Sequence, residues 1–170
     1  MSNNQSDNKY DDEYWMQKAL VMADKAEQEN EIPVGAIVVK NNKMIASGWN
    51  LSICTHDPSA HAEMLAIREA GKKLENYRML GCTLYVTLEP CSMCAGLLVH
   101  SRIDRLVFGA HDLKTGSAGS IMNLVQHEGL NHQIEVTSGV LSQQCGQKIS
   151  DFFKRRRKEI KALKKEKRNN

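Results

Sequence analysis

Four side chains in this 170-residue sequence have the types and spacing of a metal centre. Cys91 and Cys94 stand three apart in "LEPCSMC", directly after Pro90, and about thirty residues upstream "SAHAEM" carries His61 and Glu63. Proline favours the first turn of a helix, and at i and i+3 two thiols share one helix face. The positive end of a helix favours thiolate, the form that a divalent metal binds. Alone, the CxxC pair also reads as a redox pair or as half of a structural zinc site. His61 and Glu63 discriminate between these. Two positions apart, they would diverge in the middle of a helix and converge only near its start. Pro58 and Ser59, a candidate N-cap, place that start nearby.

One imidazole nitrogen and two thiolates make a mixed set that favours zinc. Structural zinc sites take four protein ligands, whereas catalytic sites keep one position for water. No fourth ligand stands at obvious spacing: Cys82, Cys145, His56, His100, His111, His127 and His132 form no second pair. Zinc with two thiolates is formally neutral, so it acidifies water less than it would under three histidines. A nearby carboxylate must then remove the proton to form zinc-bound hydroxide, and Glu63 is placed to do so. Such a pair suits attack on an amidine-like carbon, with Glu63 returning protons to the ring nitrogen and the departing amine. A zinc-stabilised nucleic-acid-binding module without catalysis would call for a fourth ligand and leave Glu63 without a task. A CxxC redox protein would leave both His61 and Glu63 unexplained.

The elements that must position these residues are legible from periodicity. "DDEYWMQKALVMADKAEQEN" puts Trp15, Ala19, Met22, Ala23 and Ala26 at helical spacing. "IPVGAIVVK" and "KMIASGWN" read as strands joined by a two-residue turn at Asn41-Asn42, where asparagine tolerates positive φ. "SAHAEMLAIREAGKKL" is predicted helical, ending near Gly71. "CTLYVTLEP" is a strand, "CSMCAGLLVHS" a helix, "DRLVFGA" a strand, "KTGSAGS" a loop, and "HQIEVTSGVL" a last short strand. The chain reads as helical from about Ser142 to near its end. This alternation predicts an α/β fold whose sheet is mixed because its opening hairpin is antiparallel.

At this length the chain is one domain with a core of its own. A flexible N-terminus over 1–12, a domain over 13–153 and a basic helix or tail over 154–170 are expected. No apolar run is long enough to span a bilayer. The polar, acidic N-terminus lacks the layout of a secretory signal, so a cytoplasmic location is expected. There a CxxC pair is metal-binding or catalytic rather than a structural bridge. Cys54, Cys82 and Cys145 are expected as small core residues. Net charge is +3, yet "KRRRKEIKALKKEKR" over 154–168 holds ten basic and two acidic residues. A basic tail on an acidic body points to a polyanionic partner, nucleic acid above all.

"HAE" followed by "PCSMC" resembles the signature of the zinc-dependent cytidine/deoxycytidylate deaminase superfamily. "EIPVGAIVV", "GWN", "HDPSAHAEMLAIR", "NYRM", "TLYVTLEPCSMCAG", "HSRIDRLVFGAHDLKTG" and "SDFFKRRRKEIK" extend the likeness from about Tyr14 to Lys164. Together they resemble the bacterial tRNA-specific adenosine deaminases. That resemblance implies a three-layer cytidine-deaminase-like fold with a mixed five-stranded sheet. It implies hydrolytic deamination of adenosine to inosine at the wobble position of transfer RNA, one zinc ion per subunit, an anticodon stem-loop as partner and a homodimer. It assigns zinc ligation to His61, Cys91 and Cys94 and proton transfer to Glu63. It places Asn50 against the target nucleoside and Asp112 against RNA near the flipped nucleotide. Position 111 is His where the family pattern has Arg. Lys114 could touch a phosphate, as could Arg102 and Arg105, and Phe153 or its neighbour Phe152 could offer a stacking face. The nearest alternative is a zinc deaminase of a free nucleoside, nucleotide or guanine. The basic tail and "GAHDLKTG" weigh against it.

Overall fold

The computed structural model describes residues 10–169. Helix α1 spans Asp12–Gln28 and is followed by strands β1 (Gly35–Lys40) and β2 (Lys43–Trp49). Helix α2 (Ala62–Leu74) leads to β3 (Cys82–Leu88), α3 (Ser92–His100) and β4 (Arg105–Ala110). A long loop then reaches β5 (Glu135–Ser138), and α4 runs from Ser142 to Asn169. Of the N-terminal segment expected to be flexible, residues 1–9 lie outside the described residues. Tyr10 stacks on Tyr14, the Asp11 carboxylate caps α1 by accepting from the Tyr14 backbone N–H, and Asp12 begins the helix.

The five strands form one mixed sheet in the order β2-β1-β3-β4-β5. The β1–β2 hairpin pairs antiparallel at one edge, whereas β3, β4 and β5 run parallel. Its turn is the expected one, with Asn41 and Asn42 both at positive φ, 50° and 59°. Side chains alternate across the pleat and separate the core into two faces. Ile37, Val39, Tyr85 and Val107 pack against Trp15, Met16, Ala19 and Leu20 of α1 and Cys145 of α4. Val38, Leu84, Val86, Leu106 and Phe108 pack against Ala66, Ile67 and Ala70 of α2 and Ala95, Leu98 and Val99 of α3. The result is the expected three-layer α/β fold.

Two expectations about local structure are corrected. Ser59 does not cap α2: its N–H and hydroxyl both donate to the Asp57 carboxylate, and the cap position falls on His61. Helix α2 ends at Leu74, the last residue of the predicted stretch and three past Gly71, with Glu75 in the left-handed conformation. Cys82 and Cys145 are buried as expected, but Cys54 is exposed in the turn after β2. Gly48 of β2 lies under the first turn of α2. A Cβ there would collide with the Ala62 carbonyl and approach the Ala66 amide to 2.7 Å, so glycine lets the edge strand and this helix meet.

Candidate metal centre and substrate cleft

The site lies outside the carboxyl ends of β3 and β4, where open α/β sheets bind ligands. His61 and Cys91 are structurally equivalent. Each is the N-cap of its helix, α2 or α3, in extended conformation (φ −80°, ψ 154° and φ −73°, ψ 176°). Neither side chain caps its own helix, so both are free to turn toward a common point. Cys94 follows one turn into α3 and is fully buried. His61 Nδ1 stands 3.6 Å from Sγ of Cys91 and 3.6 Å from Sγ of Cys94.

That spacing fits zinc. Bonds of about 2.3 Å to sulfur and about 2.0–2.1 Å to nitrogen in a tetrahedron put the two donor types roughly 3.5 Å apart. Among the described residues, the cluster of possible ligands stops at these three, whose donor atoms lie within 4.8 Å of one another. Two helix N-termini point their partial positive charge at the same place, which favours thiolate. Hydrogen bonding from Cys94, joined by His61, lowers the Cys91 thiol to about 4. The same contact with Cys91, reinforced by burial, pushes the Cys94 thiol up. His61 is held above its ordinary value chiefly by its contact with Cys91.

Glu63 occupies the first turn of α2 and is 4% exposed. Its carboxyl reaches the Cys94 thiol, and burial raises it to about 7. A carboxyl poised near neutrality can both take and return a proton.

The remaining expected site residues fall into two groups. Asn50 lies at the end of β2, beside α2. Its Oδ1 accepts from the Ala62 backbone N–H at 2.9 Å, so it satisfies the open end of the helix that carries Glu63. Asp112, Lys114 and Phe153 line one cleft of about 410 Å3 together with Ile32, Leu88, His111 and Ile149. The Asp112 carboxylate folds its own loop, accepting from the Lys114 and Thr115 backbone N–H groups at 3.0 and 3.1 Å and from the Thr115 hydroxyl at 2.8 Å. Phe152 is buried against the body while Phe153 is 41% exposed at the cleft wall. Arg105 is not free for phosphate, since both of its terminal nitrogens donate to Asp12.

Two buried glutamates were missed in the sequence. Glu31, 1% exposed, accepts from the backbone N–H groups of Ile53 and Cys54 at 3.2 and 2.7 Å and pins the turn that leads to His61. Glu89, 2% exposed, gathers the loop after β4. Burial alone would raise its carboxyl, but donors from Ser120, Ala118 and Asp112 outweigh this and hold it below the usual range. The available signal was a charged residue at the edge of an apolar strand, one or two positions before a proline: "EIPVG" and "LEPC".

The family model described as the cytidine and deoxycytidylate deaminase zinc-binding region matches residues 9–110. The chain is 56% identical over 151 residues to the tRNA-specific adenosine deaminase of Haemophilus influenzae, covering 88% of this chain and 87% of that protein. It is 51% identical over 154 residues to the tRNA-specific adenosine deaminase of Bacillus subtilis, covering 91% and 96%. A solved structure from studies of A-to-I editing by tRNA:A34 deaminases at the wobble position superposes with TM-score 0.76 at 38% identity, over 78% of this chain and 96% of that one. The guanine deaminase of Bacillus subtilis gives TM-score 0.59 at 34% identity, over 65% and 71%.

Proposed function

Because the chain belongs to the zinc-binding cytidine and deoxycytidylate deaminase family, we propose that it hydrolyses adenosine to inosine at the wobble position of a transfer-RNA anticodon. The observation that carries this reading is the convergence of His61, Cys91 and Cys94 beside the buried carboxyl of Glu63. The tRNA-specific adenosine deaminases, similar along nearly the whole chain, supply the substrate class.

His61, Cys91 and Cys94 hold the zinc ion. Zinc, when bound, supplies a Lewis acid that acidifies a water molecule. Glu63 takes a proton from the attacking water and delivers it to N1 of the adenine ring as oxygen joins C6. From the tetrahedral carbon that results, Glu63 takes the remaining hydroxyl proton and passes it to the exocyclic amine. The C6–N6 bond breaks, ammonia leaves, and the C6 carbonyl of inosine remains. Asn50 holds the start of α2, which keeps Glu63 in register, and its Nδ2 is the half of the amide that turns to the nucleoside.

An anticodon loop is single-stranded, so its wobble base is extruded more cheaply than a paired one. Asp112, Lys114 and Phe153 form the wall for flanking nucleotides, with Phe153 as the stacking face. The exposed basic stretch of α4 adds sequence-independent phosphate attraction. Action as a homodimer in the cytoplasm completes this reading. No described helix is long and apolar enough to cross a membrane.

The test is direct. Purified zinc-loaded protein is incubated with an adenosine-containing anticodon stem-loop, with free adenosine, with cytidine and with guanine. Inosine forming on the stem-loop, far faster than any free substrate reacts, is the expected result. Faster turnover of guanine or a free nucleoside overturns the choice of substrate.

A further inference from the structure

The loop that follows β4 carries Asp112 and Lys114, and a single buried carboxylate holds its shape. The Glu89 side chain is 0% exposed. Oε1 accepts from His111 Nδ1 at 3.2 Å, from the Asp112 backbone N–H at 3.2 Å and from the Ser120 hydroxyl. Oε2 accepts from the backbone N–H groups of Ala118 and Ser120, each at 3.1 Å. All these donors come from residues 111–120, and no lysine or arginine is paired with Glu89 among the described residues. A buried carboxylate is tolerated only where donors replace its lost water.

The contact is built from both sides. Gly116 sits against the carboxylate so closely that a Cβ would collide with Oε2, and with the Asp112 carbonyl as well. Ser117 N–H donates to the Pro90 carbonyl at 2.8 Å, and Glu89 N–H donates to the Ala110 carbonyl at 2.8 Å. Glu89 and Pro90 lead straight into the ligand Cys91. The loop is therefore tied, at two consecutive residues, to the strand end that delivers a metal ligand.

We propose that Glu89 is a positioning residue for substrate binding. It keeps the 111–120 loop, and with it Asp112, Lys114 and the wall opposite Phe153, at a set distance from the metal centre. Glu89 touches neither the metal nor the reacting atoms. This role rests on the reading of the cleft as the RNA-binding surface.

The experiment compares wild type, Glu89→Gln and Gly116→Ala as full-length zinc-loaded proteins acting on the anticodon stem-loop. An amide in place of the carboxylate turns one acceptor into a donor facing N–H groups, and the added methyl drives the loop off an intact Glu89. Both variants should raise KM about tenfold or more while kcat at saturation stays within about threefold. Zinc content should match wild type, and amide exchange should quicken selectively over residues 111–120. KM unchanged in a folded variant overturns the proposal. So does a fall in kcat at unchanged KM, which would put Glu89 in the chemistry. Should Glu89→Gln fail to fold, Gly116→Ala and Ser120→Ala, which removes one donor from the loop side, decide by the same KM and kcat criteria. A wild type that leaves the stem-loop unchanged brings down the functional reading instead.

Discussion

Asp12, the first residue of α1, and Arg105, the first residue of β4, are joined by two hydrogen bonds of 2.8 and 2.7 Å across ninety-three residues of sequence. Arg105 also donates to the Thr137 hydroxyl at 2.8 Å, and the Tyr85 hydroxyl donates to Asp12 at 2.8 Å. One ion pair therefore ties the first helix to three strands. The Arg105 contact, outweighing burial, holds the Asp12 carboxyl below its ordinary 3.8. A depressed carboxyl stabilises the fold above its unfolded value, and that contribution is lost as pH falls through the folded one. Asp12→Asn should lower unfolding free energy by about 1–3 kcal/mol at pH 7. The deficit should close in acid, where wild type loses the same contribution. Denaturant titrations at pH 7 and pH 2 check this, and equal deficits at both would remove the linkage.

Glu63→Gln keeps the size of the side chain but cannot shuttle a proton. Turnover on the stem-loop should fall by about 10²–10⁴-fold or more, with zinc retained at one ion per subunit. Single-turnover kinetics and elemental analysis test the two halves separately. Substantial residual turnover would remove Glu63 from its assigned role.

Chelation should abolish activity, and added Zn²⁺ should restore it. Cys91→Ser and Cys94→Ser should each lower zinc content, because a hydroxyl at neutral pH is a poor substitute for thiolate. Normal metal content in either variant would exclude that residue as a ligand.

The basic stretch of α4 can be removed without touching the body. Arg155 lies over the Phe152 ring and reaches Asn30, whereas residues 158–169 are exposed apart from partly buried Glu159. Truncation after Arg157 should raise KM for the stem-loop while kcat at saturating RNA stays close to wild type. The slope of log affinity against log salt should also shrink, by up to about 0.7 for each phosphate that the shortened helix no longer neutralises. An unchanged KM and slope would make the distal half of α4 a solvated helix.

Gly48→Ala forces a methyl into the backbone at the start of α2. Overpacking of this kind costs about 1–3 kcal/mol, and here it also displaces the helix that bears Glu63. Thermal unfolding should detect the first effect and kcat the second.

Much of this was legible beforehand, for identifiable reasons. Trp15, Ala19, Met22 and Ala23 repeat at the helical period because α1 covers only one face of the sheet. Asn41-Asn42 marks a turn through its tolerance of positive φ. His61, Cys91 and Cys94 are rare residue types whose chemistry narrows their use. Ser59 misled because its type suits a cap, whereas its N–H and hydroxyl both donate to the Asp57 carboxylate two residues earlier and the cap position falls on His61. Arg105 resembled a surface cation because its partner is distant in sequence. Glu31 and Glu89 were marked only by their place beside an apolar strand and a proline, which does not disclose which loop will fold over the carboxylate.

The sequence by itself determined the local periods, the turn chemistry and the identity of the metal donors, all properties of residues near one another in the chain. The tertiary structure alone decided that two helices would begin at one point in space, each with a ligand at its cap. It also decided that buried carboxylates would hold the surrounding loops. Those outcomes depend on which strands become neighbours, and pairing across the sheet is set by packing summed over the whole core rather than by any short stretch.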